Sequence, residues 1–224
     1  MLKPASRQAR IHNAEGAREA ILNAAEEVFA EHGFDGARID VIAKISGYNK
    51  SLIFQYYGDK LSLYSAVIRR ADEQTRGMQD EALNTLLQVE TELNPNQIKK
   101  LLGAYVGWYF DYLNEHPRIQ RIYMWEMAEG WQTFSKILSQ RDFDDVDQFA
   151  PVLAKLQAAG LLRSTPHPLL QLSSAVFVCA LYLSLPPLYK VMLPGTDFAS
   201  PAAREFVIEF IVNGLLISPA EAKP

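Results

Sequence analysis

At 224 residues, with 49% hydrophobic and 21% charged side chains, the chain holds enough apolar material for one large or two modest folded domains and is far from a disordered composition. A single cysteine, Cys179, excludes an intramolecular disulfide framework, and the net charge of −4 argues against indiscriminate binding to nucleic acid. The polar, basic start has no apolar core of a secretory leader, so a cytoplasmic protein is expected.

The charge is uneven along the chain. Lys3, Arg7, Arg10 and Arg18 face only Glu15 near the start, residues 1–60 are neutral as a whole, and the acidic excess lies beyond them. Residues 1–16 read as a basic flexible arm, and the first helix is expected from about Ala17. There Ile21, Ala25, Val28 and Phe29 recur with helical spacing, while Arg18, Glu19, Glu26 and Glu27 take the opposite face. Gly33 suits the left-handed position past a helix end, with Phe34 placed to fold back. A short second helix carries Ile39, Ile42 and Ala43 and is broken at Ser46-Gly47. Asn49 is a good N-cap for a third, since its side chain can accept from the free backbone N–H of Ser51 or Leu52. Gly58 ends that helix, and Asp59 caps a long fourth one lined by Tyr64, Val67, Ile68, Ala71, Thr75, Met78 and Ala82.

Asn94-Pro95 opens a helix with a wide apolar face running to His116, in which Gly103 and Gly107 would let another backbone approach. A sixth helix is expected over Arg118–Glu129, with Trp131–Leu138 either extending it or forming a short helix of its own. The acidic run Asp142-Phe143-Asp144-Asp145-Val146-Asp147 fails the EF-hand pattern, because the loop's sixth position is Asp147 and its twelfth is Leu153; it reads as a solvated loop and helix start. The next helix runs to Ala159, with Pro151 a kink or the true start, and Gly160 stops it. Leu169 to Tyr189 carries no formal charge, yet Gln171, Ser173, Ser174 and Ser184 and the break at Pro186-Pro187 favour a buried helix over a membrane span. The last helix, capped by Ser200 before Pro201, is apolar on most sides. Two such helices suggest a four-helix interface built by two subunits.

The sum is an all-α chain of about nine helices with no useful strand pattern and no repeat. Its centre is the pair of short helices across Ser46-Gly47, which reads as a helix-turn-helix with the second helix offered to a DNA groove. No phosphate-binding Gly-Lys loop, Gly-x-Ser-x-Gly or metal-spaced His/Cys cluster is present, so neither catalysis nor a cofactor is expected. The rival reading is a helical small-molecule carrier, or an enzyme, with a vestigial helix-turn-helix.

Over residues 17–68 the sequence resembles the TetR family of bacterial transcriptional regulators. The resemblance rests on three phrases: Phe29 to Phe34; Ile42-Ala43-Lys44-Ile45-Ser46-Gly47-Tyr48-Asn49; and Ile53-Phe54-Gln55-Tyr56-Tyr57-Gly58-Asp59-Lys60-Leu61. It implies a three-helix DNA-binding domain (17–64) and a larger helical ligand-binding and dimerisation domain (65–224). It also implies that Asn49, Lys50, Ser51, Gln55 and Tyr56 meet double-stranded operator DNA, with Lys60 on the backbone. Gln55 can bond adenine bidentately, and Lys50 can reach guanine or phosphate. Arg38 stands where the family often has a capping threonine; it can reach a phosphate but cannot cap. Tyr48, Phe54 and Leu61 also depart from the pattern. Tyr57 reads as a packing residue, whereas Phe54 is open between packing and exposure.

The resemblance further implies a homodimer, through helices spanning roughly 168–190 and 201–217, that represses from a near-palindromic site. A small effector in the larger domain would release it. Trp108, Tyr112, Tyr123, Met127, Trp131, Phe134 and Phe177 are the pocket candidates, and their abundance suggests an apolar or aromatic ligand, although each taken singly reads first as ordinary core.

Overall fold

The computed structural model of the chain describes residues 7–88, 95–139, 149–167 and 169–217. The described residues form eleven helices: α1 (Arg7–Gly36), α2 (Ile39–Ser46), α3 (Lys50–Tyr57), α4 (Lys60–Gln88), α5 (Pro95–Glu115), α6 (Pro117–Ala128), α7 (Gln132–Leu138), α8 (Phe149–Ala158), α9 (Leu169–Ser184), α10 (Pro186–Met192) and α11 (Pro201–Leu215). The only strand-like pairing among them is an isolated bridge between Leu162 and Leu216. The acidic run Asp142–Asp147 and Asn94 lie outside the described residues, as do residues 1–6 of the basic arm.

Packing divides the chain into two compact units, one of residues 1–74 with 121–140, the other of residues 75–120 with 141–224. In the first, Ala17, Ile21, Ala24, Ala25, Val28 and Phe29 of α1 are buried, together with Leu63, Tyr64, Val67, Ile68 and Ala71 of α4. Phe29 meets the Tyr64 ring edge-on at 4.7 Å, and Phe34 folds back to 5.2 Å from the same ring. Gly33, at φ 67° and ψ −179°, breaks the helical path of α1. A Cβ there would lie 3.0 Å from the Glu129 carboxylate and 3.1 Å from the Trp125 ring, so both backbone angle and space demand glycine. Trp125 donates its indole N–H to the Ala30 carbonyl at 3.2 Å, which fixes residues 121–140 against the end of α1.

The polar centre of this unit is Glu126, 1% exposed. One carboxylate oxygen accepts from the Tyr64 hydroxyl at 2.7 Å and the other from the Phe134 amide at 3.0 Å. A buried carboxylate is tolerable only with such donors. Trp131, in the left-handed region at φ 61°, turns the chain from α6 into α7 and donates its own N–H to the Glu126 carbonyl at 2.7 Å.

In the second unit α5 packs against α9 and α11. Gly107 brings the α5 backbone close to α11, since a Cβ there would stand 2.9 Å from the Arg204 guanidinium and 3.2 Å from Ile208. Arg204 grips Asp111 of α5 with two hydrogen bonds of 2.6 Å, the fork geometry that arginine and carboxylate favour. The buried Gln120 donates to the Ala180 carbonyl at 3.1 Å. Cys179 is buried, and desolvation pushes its thiol up to about 12, as expected of an inert core cysteine.

Two features differ from the sequence reading. The first helix starts at Arg7 rather than Ala17, because residues 7–16 lack an apolar stripe but contain no proline and only one glycine to stop a helix. The described residues form eleven helices rather than about nine because α7 is separate from α6 and because α10 breaks from α9 at Leu185-Pro186. By packing, residues 121–140 group with the N-terminal part. No single helix among the described residues is long and apolar enough to cross a membrane; only α9 and α10 together pass on length and composition, and they meet at a 55° bend.

Candidate nucleic-acid interface

Local chemistry sets the two short helices. α2 starts after Arg38, which is extended (φ −117°, ψ 131°) and makes no side-chain cap, as expected. It ends at Gly47 in the left-handed conformation, whose N–H returns to the Ala43 carbonyl. Asn49 then caps α3, its side-chain oxygen accepting from the Leu52 N–H at 2.9 Å. Gly58 (φ 80°) ends α3, and the Asp59 carboxylate receives the Ser62 N–H at 2.7 Å; that bond holds the acid below its ordinary range.

α3 is anchored on one side and bare on the other. Ile53 is buried, and the Tyr57 hydroxyl donates to the Arg18 carbonyl at 3.1 Å, so Tyr57 is a packing residue. Burial raises the Tyr57 phenol above its usual range. Asn49, Lys50, Ser51 and Gln55 are exposed, and with about 3.6 residues per turn Lys50, Ser51, Phe54 and Gln55 share the outward face. Tyr56 is half-buried, its ring 5.0 Å from the Arg18 guanidinium. Arg18 thus holds both tyrosines, one through its side chain and one through its backbone.

Asp40, at the start of α2, lies within 2.7 Å of the Lys50 ammonium and 3.5 Å of the Arg38 guanidinium. The hydrogen bond from Lys50 is the main reason its carboxyl stays below the usual range. Lys60 is half-buried, donating to the Asp35 carbonyl at 3.2 Å with its ammonium 4.7 Å from the Phe34 ring; desolvation lowers its pKa. Sequence reasoning placed Arg18 on the outer face of the first helix and did not single out Asp40; their contacts with Tyr57, Tyr56 and Lys50 join different helices.

The seven aromatic and methionine candidates fall into two sets. Trp108 stacks on Tyr112 at 5.9 Å, and Tyr112 on His116 at 4.3 Å, in the second unit, which also holds the partly exposed Phe177. Tyr123 and Trp131 both meet Phe134 edge-on, at 6.4 and 5.7 Å, in the first unit, where Met127 is exposed. Two open apolar cavities of about 600 and 470 Å³ lie among α9, α10 and α11, and none of the seven lines either. Among the described residues no group of three His, Cys, Asp or Glu side chains is arranged to hold a metal ion.

A short helix anchored on one face, bare and polar on the other, and preceded by a second helix across a glycine turn defines a helix-turn-helix DNA-binding regulator. Residues 21–67 match the model of the bacterial regulatory proteins of the tetR family, and residues 99–214 match the tetracyclin repressor-like C-terminal domain. The chain belongs to the TetR family. It is 33% identical over 193 residues to the HTH-type transcriptional repressor SCO4008 of Streptomyces coelicolor, covering 86% of this chain and 92% of that one. To the HTH-type transcriptional repressor NicS of Pseudomonas putida it is 28% identical over 212 residues, covering 90% and 92%. The crystal structure of a TetR family transcription regulator from Marinobacter aquaeolei shares the fold at a TM-score of 0.65 and 20% identity, covering 92% of this chain and 99% of that one.

Proposed function

We propose that the chain is a repressor that binds a near-palindromic operator as a homodimer and is released by a small apolar or aromatic effector, acting in the cytoplasm where the chromosome lies. The observation that carries the DNA half is the exposed row Asn49, Lys50, Ser51 and Gln55 on a capped, anchored helix. Residues 17–64 read the DNA; residues 65–224 pair two subunits and hold the effector. Tyr56 is steadied from behind by Arg18, while Arg38 and Lys60 supply phosphate contacts once they leave Asp40 and the Asp35 carbonyl.

Pairing is supported by the apolar side chains that α9, α10 and α11 leave in water: Leu170, Leu181, Leu188, Val191, Phe206 and Phe210 are all exposed. An apolar surface of this extent on a soluble regulator marks an interface. One recognition helix reads only a few base pairs, so two must act together, about one DNA turn apart. Both α4 and α6 run from one packing unit into the other, so an effector that changed their tilt would change the spacing of the two readers. The seven aromatic and methionine candidates remain the proposed effector contacts.

The reading is tested by titrating purified protein onto its own upstream DNA at low and moderate salt. Failure to shift any fragment at low salt would return the chain to the carrier or enzyme reading. With binding in hand, Gln55→Ala should lose preference at one base in each half-site. Lys60→Ala should weaken all sequences alike and reduce the salt slope by about one per subunit.

A further inference from the structure

Phe54 is unexplained by packing and by the polar row alike. It lies in the middle of α3, yet its side chain is 44% exposed, while Ile53 beside it is buried. Phe29, Phe34, Tyr56, Tyr57 and Tyr64 each meet another aromatic ring, whereas Phe54 meets none among the described residues. A large apolar ring left in water on a reading helix is unfavourable unless something covers it on binding. Its position says what. At about 100° per residue Phe54 falls between Lys50 and Ser51 on the outward face, one residue from Gln55.

We infer that Phe54 is a specificity-determining residue that packs on the C5-methyl group of a thymine in the major groove of each half-site. Thymine is the one base that offers an apolar group there, and aromatic contact with its methyl is an established mode of readout. The charged and polar neighbours exclude a lipid or an apolar protein surface as the occupant, because covering Phe54 with either would strip water from Lys50, Ser51 and Gln55 without replacing their hydrogen bonds. DNA satisfies both kinds of group at once. An amide bonding an adenine edge beside a ring on a thymine methyl selects a half-site containing A·T pairs. This inference rests on the DNA-binding reading above and adds a base assignment to it.

The test uses the full chain and a duplex selected by it from a random DNA pool, with each thymine replaced in turn by deoxyuridine, which removes only the methyl group. At one thymine in each half-site the replacement should weaken binding about fourfold, the loss expected for one buried methyl group. Phe54→Ala should bind the thymine and uracil duplexes equally, and Phe54→Leu should keep part of the difference. Because Phe54 is exposed, helical circular dichroism should be unchanged, which separates lost contact from lost fold. The inference is overturned if the unaltered chain is indifferent to every methyl, if the selected half-site has no thymine, or if Phe54→Ala keeps the full fourfold penalty. A pool from which no duplex is enriched would overturn the DNA-binding reading as well, whereas enrichment without methyl coupling would remove Phe54 alone.

Discussion

The bare face of α3 and the bare face of α9–α11 differ in kind. On α3 the exposed side chains are amides, a hydroxyl and an ammonium, with one aromatic ring among them; on α11 Phe206 and Phe210 are 66% and 62% exposed and stack on each other at 6.3 Å. The first surface keeps its water until a charged, hydrogen-bonding polymer replaces it. The second, on the proposed pairing, would gain by losing water to a surface like itself. The difference also shows beneath each surface. α3 is held by the buried Ile53 and by the Tyr57 hydroxyl on the Arg18 carbonyl, whereas α9–α11 enclose open apolar cavities.

The strongest way to break this contrast is to charge the apolar face. Phe206→Glu with Phe210→Glu should yield a folded monomer by sedimentation and lower operator affinity by about 100-fold or more, because the second half-site contact becomes a separate event. Retention of a dimer by that variant would place the interface elsewhere. Next in size is the buried carboxylate at the polar centre of the first unit. Glu126→Ala removes the acceptor for the Tyr64 hydroxyl and the Phe134 amide and leaves a cavity, for an expected loss of about 3 kcal/mol in urea unfolding. A loss below 1 kcal/mol would show that the two donors find other partners.

Gly33→Ala should cost about 2 kcal/mol by the same measurement, from the positive φ together with the Trp125 ring and Glu129 carboxylate in the way. The smallest effect is expected at Cys179. With its thiol held near 12 it should resist iodoacetamide at pH 8 and react only after denaturation. The proton is held more tightly in the folded state, so this group's contribution to stability is complete below about pH 9 and falls away as pH rises toward 12. Rapid labelling of native protein would mean that α9 opens readily.

Legibility in the sequence followed the range of the interaction. Asn49, Ser200, Gly47 and Gly58 each act on backbone a few residues away, and all four ended or capped helices as their chemistry requires. Asn49, Lys50, Ser51 and Gln55, which the family resemblance implied would meet DNA, are exposed, as that role requires. What escaped was long-range. Tyr57 meets Arg18, Tyr64 meets Glu126, and Trp125 meets Ala30 across 39, 62 and 95 residues, and no local pattern pairs them. Glu126 shows the limit plainly: on the sequence it is one more acid in a helix, and only the fold turns it inward. The bend at Leu185 was visible as two prolines, but not that a separate helix follows it.

The cap at Asn49 has a consequence for how bases are chosen. Its carboxamide oxygen faces the Leu52 N–H, so the hydrogens of the amide nitrogen are what it can present outward. Placed in a major groove, as proposed, Asn49 would give a hydrogen bond to guanine O6 or N7, adenine N7, thymine O4 or a phosphate more readily than it would receive one, because one of its oxygen's two lone pairs is already engaged. The paired give-and-take that recognises adenine would then fall to Gln55, whose amide no helix end claims. On the proposed reading the two carboxamides would divide the groove's alphabet between them, and the backbone hydrogen bond at the start of α3 would set the division.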